Sequence, residues 1–147
     1  MRKRIKKIQL KKGSDAQKSE VHKLTTNFIK WGYITTTENK AKYLKGIIDR
    51  LTHKAIKNSQ ADRNILTSAL RDKKLVDYMT MTVAESFKNR VSGFSTVSKL
   101  PHRQGDAAKI AQVRWVVAIE QFMKLPLVDE KEKVTIVSQE KIQEVKK

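Results

Sequence analysis

Residues 33–57 read YITTTENKAKYLKGIIDRLTHKAIK, and the change of pattern inside this stretch decides the fold. Its first five residues are β-branched or aromatic, which favours a short strand at 33–37. From there Ala41, Leu44, Ile48, Leu51 and Ala55 recur at intervals of three and four. At about 100° per residue they share one side of a helix, with Lys42, Arg50, His53, Lys54 and Lys57 on the other. Thr36 or Thr37 supplies an N-cap, and Asn58-Ser59 ends the helix. A strand feeding straight into a long helix with one apolar face predicts an α+β domain.

Working outward, Val21, Leu24, Phe28 and Ile29 make a core stripe for a helix over 16–31, capped by Ser14 or Asp15 and closed by Gly32. Downstream, 61–70 and 72–87 give two more helical patterns, the second marked by Leu75, Met79, Val83 and Phe87. Residues 93–100 (GFSTVSKL) alternate as a strand does, 101–106 (PHRQGD) form a loop, and 111–119 (AQVRWVVAI) read as a third strand. The expected architecture is a compact helical domain on a small three-stranded sheet. An extended arm covers 1–13, the globular part 14–117, and a C-terminal extension 118–147. In that extension 134–137 is too short to assign, and 138–147 is a polar, charged end.

Charge separates these parts. The chain of 147 residues has a net charge of +17, with 26 Lys/Arg and nine Asp/Glu before residue 116 and six of each after it. Residues 1–12 carry Arg2, Lys3, Arg4, Lys6, Lys7, Lys11 and Lys12 without one acid. Such a block repels itself and has too little apolar surface to fold alone. Ile5, Ile8 and Leu10 interleave with the charges, which suits an arm that becomes ordered on phosphates. A basic balance of this size selects nucleic acid as partner first and an anionic membrane second. There is no run of 18 apolar residues for a spanning helix. The N-terminus has no apolar core of a secretory signal, and it lacks the serines of a transit peptide. With no cysteine, disulfides, thiol catalysis and cysteine metal sites are excluded.

Residues for catalysis do not converge in the sequence. His22, His53 and His102 lack metal-ligand spacing, and neither a phosphate-cradling glycine loop nor a nucleophile elbow occurs. Trp31 and Trp115 could stack on bases, but both end apolar patterns and read as core anchors. The tail is neutral, yet Val117, Ile119, Phe122, Met123, Leu125, Leu127, Val134 and Ile136 make it apolar enough to pack on something. The expected host is a neighbouring protein, ahead of the chain's own sheet.

Four stretches, in order, resemble one known family: the arm beginning MRKR, ITTTENKAKYLK at 34–45, LRDKKLV at 70–76 after a lone Arg63, and GFSTVSKLPHRQGDAA at 93–108. Over about residues 1–115 the chain resembles bacterial large-subunit ribosomal protein seventeen. The I-x-T-T-x-x-K-A-K and K-L-x-x-R-x-G-D-A-A elements are specific at this separation. The arm departs from the family's GRKLGR-like pattern, and Ala16-Gln17 stands where the family has His-Arg. The resemblance implies a structural, non-catalytic component of the large subunit near the exit side of the peptide tunnel. Its partners would be ribosomal RNA and neighbouring ribosomal proteins, with no membrane, small-molecule substrate, cofactor or metal. It implies RNA-facing roles for Arg2, Arg4, Lys18, Lys40, Lys42, Lys45, Arg63, Arg90, Lys99 and Arg103. Charge adds Lys3, Lys6, Lys7, Lys11 and Lys12 of the arm, the helix face adds Arg50 and Lys54, and His102 joins from its loop. The expected location is a cytoplasmic ribosome, with a mitochondrial one as second choice. The competing readings are a basic DNA-binding, nucleoid-associated protein and a polybasic membrane anchor.

Overall fold

The computed structural model describes Leu10 and residues 13–122. The arm residues Arg2, Lys3, Arg4, Lys6, Lys7, Lys11 and Lys12 therefore lie outside the described residues, as do 134–137 and 138–147 of the tail. Helix α1 (Ser14–Trp31) leads into β1 (Tyr33–Thr37), α2 (Glu38–Lys57) and α3 (Gln60–Leu70). Next α4 (Lys73–Tyr78), a π-helical turn (Met79–Val83) and α5 (Ala84–Ser86) continue as one rod, followed by β2 (Ser95–Leu100) and β3 (Ile110–Trp115).

The strands form an antiparallel sheet in the order β1-β3-β2, with β3 in the centre. Alternation sorts its residues. Ala111, Val113 and Trp115 are buried on the inner face, against which α2 packs, while Gln112 and Arg114 point the other way. On α2 the expected stripe holds entirely: Ala41, Leu44, Ile48, Leu51 and Ala55 are all buried, with Thr52 beside them. On α1, Phe28 and Ile29 are buried, whereas Val21 and Leu24 are only half-buried. Trp115 anchors the core through its ring, 4.6 Å from that of Phe28 and 5.6 Å from that of Phe87.

Local chemistry explains the element ends. Gly32, at φ 76°, adopts the left-handed conformation, and its N–H donates to Phe28 O at 2.7 Å. That closes α1 and turns the chain into β1 at little strain because glycine has no Cβ. The side-chain caps expected for the first two helices are absent. Gly13, not Ser14 or Asp15, is the N-cap of α1, and Thr37 caps α2 without a side-chain hydrogen bond. The sheet does that work for α2, since Glu38 N–H donates to Lys109 O at 2.9 Å. Asp49 of α2 pins the start of β2 by accepting from Ser95 N at 3.1 Å and Ser95 Oγ at 2.9 Å.

The third strand is shorter than expected. It stops at Trp115, and Val116 and Val117 bend away half-exposed, Val116 N–H donating to Phe94 O at 3.1 Å. The chain then returns to its own domain. Ile119 and Phe122 pack against the core, the Phe122 ring lies 5.4 Å from Tyr78, and the Tyr78 hydroxyl donates to Glu120 O. Residues 118–122 thus pack beside the helical rod and do not continue the strand.

Candidate nucleic-acid interface

Residues 13–122 hold 19 Lys/Arg against ten Asp/Glu. Five of those acids, Asp15, Glu20, Glu38, Asp62 and Asp106, are in ion pairs. Asp49 and Asp72 accept from backbone N–H groups of Ser95 and Lys74. Seven of these ten acids are therefore engaged, and among the described residues Lys/Arg outnumber acids by nine.

The expected site residues divide by what their charged ends meet. Lys40 Nζ lies 2.6 Å from Glu20 Oε1, tying α2 to α1, and Lys54 Nζ lies 2.7 Å from Asp62 Oδ1, tying α2 to α3. Both are half-buried, so they brace the helices and are not open cations. Lys54 departs here from its assignment to the open basic face.

Lys42 is exposed and pairs with Glu38 at 2.7 Å one turn back, and Lys99 reaches the same carboxylate at 3.9 Å from β2. These contacts draw the two specific sequence elements together, since Glu38 lies in the first and Lys99 in the second. The hydrogen bond from Lys42, with the charges of Lys42, Lys99 and Lys109, holds the Glu38 carboxyl below its ordinary range. Lys18 is exposed and only 3.8 Å from Asp15. Lys45 and Arg50 make no ion pair among the described residues.

Arg63 and Arg90 are exposed and held by neutral acceptors, Arg63 Nε donating to Asn58 Oδ1 at 2.7 Å and Arg90 Nε to Ser92 O at 3.0 Å. Neutral acceptors orient a guanidinium while leaving its charge intact. In the 101–109 loop His102 and Arg103 are exposed. Arg103 forks onto Asp106, its Nε donating to Oδ1 at 3.0 Å, and this pairing pushes the Asp106 carboxyl down to about 2. Asp106 also accepts from Ala108 N–H at 3.2 Å, which folds the loop back on itself.

The exposed cations that the sequence did not single out include Arg71 and Arg114. Arg71 sits at the C-cap of α3 with φ 58°, and Arg114 faces outward from β3. The signal for Arg114 was present in AQVRW, whose alternation puts Gln112 and Arg114 opposite Ala111, Val113 and Trp115. Among the described residues no group of three or more acids or histidines could hold a metal ion, and no helix is long and apolar enough to cross a membrane.

Comparison with known proteins bears on what such a surface serves. The profile of a family described as Ribosomal protein L17 matches residues 20–116. "Large ribosomal subunit protein bL17" of Mycoplasmopsis pulmonis is 36% identical over 112 residues, covering 72% of this chain and 93% of the relative. The protein of that name from Thermotoga maritima is 31% identical over 129 residues, covering 82% and 98%. That of Rubrobacter xylanophilus is 40% identical over 78 residues, covering 53% and 64%. The matched span runs from within α1 through β3 and takes in both the helical braces and the exposed cations other than Lys18, so the chain belongs to the ribosomal protein L17 family.

Proposed function

We propose that this protein is a structural, non-catalytic constituent of the large ribosomal subunit, held on ribosomal RNA mainly through its phosphates. Its site is near the exit side of the peptide tunnel in a cytoplasmic ribosome, beside other large-subunit proteins. The observation that carries this reading is the excess of Lys/Arg over acids in the folded part, where most of the acids are already engaged, continued by an arm of seven cations and no acid. Phosphates are the complementary partner, and each one neutralised releases counter-ions on binding. Lys18, Lys42, Lys45, Arg50, Arg63, Arg90, Lys99, His102 and Arg103 offer the folded surface. Lys40 and Lys54 act behind it by fixing the helices. An A-form groove hides base edges, so shape and backbone dominate recognition over paired regions.

The test is binding of the full chain to large-subunit ribosomal RNA across a salt series, with co-sedimentation on large subunits after a high-salt wash. Affinity should fall steeply with salt. Removing residues 2–12 should flatten the slope by roughly 0.7–0.9 for every phosphate that the arm neutralises. An unchanged slope would remove the arm from the interface. Equal affinity for duplex DNA at matched salt would favour the DNA-binding alternative.

A further inference from the structure

Among the described residues, helices cover one face of the sheet only. The outer residues Tyr33, Thr35, Gln112, Arg114, Thr96 and Ser98 are all exposed or half-exposed, with no described helix over them, and the segment 116–121 borders them at Tyr33, Gln112, Arg114 and Thr96. Strand register sets them in rungs: Tyr33, Arg114 and Thr96 lie side by side across the three strands, followed by Thr35, Gln112 and Ser98. Residues on one rung share a face with Cβ atoms about 5 Å apart, so the phenol and the guanidinium are neighbours.

Three observations mark the first rung. Tyr33 is 49% exposed, and Trp31 two residues earlier is 48% exposed, although aromatic rings at such positions ordinarily serve the core. Arg114 makes no ion pair among the described residues. It lines two depressions, one of about 360 Å³ shared with Tyr33 and Gln112, the other of about 680 Å³ shared with Arg90 and Thr96, and Val117 and Ala118 border both. No Asp or Glu lines either one.

We propose that this rung is a binding site for an unpaired RNA nucleotide, its base stacked on the Tyr33 ring and its flanking phosphates held by Arg114 and Arg90. The inference rests on the RNA-binding reading above and adds a second mode to it: the arm and helices follow duplex backbone, while the open sheet takes a nucleotide out of the stack. Charge complementarity selects the occupant. A protein segment would have to bring carboxylates to two unneutralised arginines and separately cover a ring, whereas one nucleotide supplies a π-face and phosphates together. The hydroxyls of Thr96, Thr35 and Ser98 and the amide of Gln112 offer hydrogen bonds to base edges and a 2′-hydroxyl.

The experiment uses the full chain, Tyr33→Ala, Tyr33→Phe and Arg114→Ala, each titrated with a large-subunit ribosomal RNA transcript at several salt concentrations. Tyr33→Ala should weaken binding roughly tenfold with an unchanged salt slope, because stacking releases no counter-ions. Tyr33→Phe should bind as the unaltered chain does, and Arg114→Ala should lower the slope by about one. Ultraviolet irradiation of assembled subunits containing the unaltered chain should join Tyr33 to a nucleotide, a result independent of how any variant folds. Wild-type affinity in Tyr33→Ala would overturn this site while leaving the broader RNA-binding reading intact. Failure of the unaltered chain to bind the transcript would sink both. A crosslink from Tyr33 to a protein would assign the face to a neighbouring subunit protein instead.

Discussion

Asp62 accepts hydrogen bonds from Lys54 Nζ at 2.7 Å and from Ser59 Oγ at 2.6 Å, while its own backbone N–H donates back to Ser59 Oγ at 3.2 Å. One side chain thus joins the N-cap of α3 to the last turn of α2. Those hydrogen bonds and the nearby positive charge of Lys54 and Lys57 hold the Asp62 carboxyl below its ordinary range. Because the folded value is the lower one, the stabilisation is fully present above the unfolded value and is lost as pH falls through the folded value. Asp62→Asn should therefore lower the thermal midpoint at neutral pH and shrink the further loss seen below about pH 4, read by unfolding at several pH values. Identical acid profiles for both proteins would show that the pair is only geometric. Lys54→Glu should also destabilise the RNA-free protein, since it sets like charges against each other in a half-buried place, whereas Lys42→Glu, facing Glu38 from an exposed position, should cost folding only about 0.2–0.5 kcal/mol and weaken RNA binding. Helical phase put both lysines on one face. The partner of Lys54 was not legible because it lies across a helix break, where the periodicity of one element carries no information about the next.

Within elements, the apolar pattern was most informative where burial is strongest. Leu44 and Leu51 are 1% and 4% exposed on α2, and truncating either to alanine should cost about 2–5 kcal/mol of stability in denaturant unfolding. A loss below about 1 kcal/mol would mean that the site collapses around the missing methyl groups. The rod from α4 to α5 was legible as a helix but not in its winding. Leu75, Met79, Val83 and Phe87 follow strictly every fourth residue and are all buried. In a regular helix each such step drifts about 40°, so the last would stand roughly 120° from the first. The π-helical turn at Met79–Val83, with Ala84 N–H donating to Met79 O, absorbs that drift. Deleting Met81, which is 71% exposed in this turn, restores an interval of three between Met79 and Val83. The shortened chain should fold with the same helical circular dichroism, its π-turn replaced by α-helix. Loss of folding would show that the bulge holds Phe87 against Trp115 by more than its phase.

At the scale of the molecule, strand existence was readable and strand order was not: β1 and β3 pair although more than 70 residues separate them, and alternation names no partner. The same limit hid the return of the chain after β3. Residues 111–119 read as one apolar strand because Val116 and Val117 continue the β-branched run, but the inner face of the sheet ends at Trp115 and leaves them nothing to cover. Ile119 and Phe122 instead close the end of the domain beside Tyr78. Burial and the Glu120 charge raise the Tyr78 hydroxyl to about 12, so it stays protonated and donates to Glu120 O throughout the physiological range. A chain ending at residue 117 removes that acceptor and both apolar side chains together. It should lose about 2–3 kcal/mol relative to a chain ending at 122, from apolar area returned to water and a buried hydroxyl left without its partner. RNA affinity should keep the same salt slope in the two chains, because the five residues between those ends carry one acid and no Lys or Arg. Equal stability of the two would show that residues 118–122 rest on the rod without supporting it.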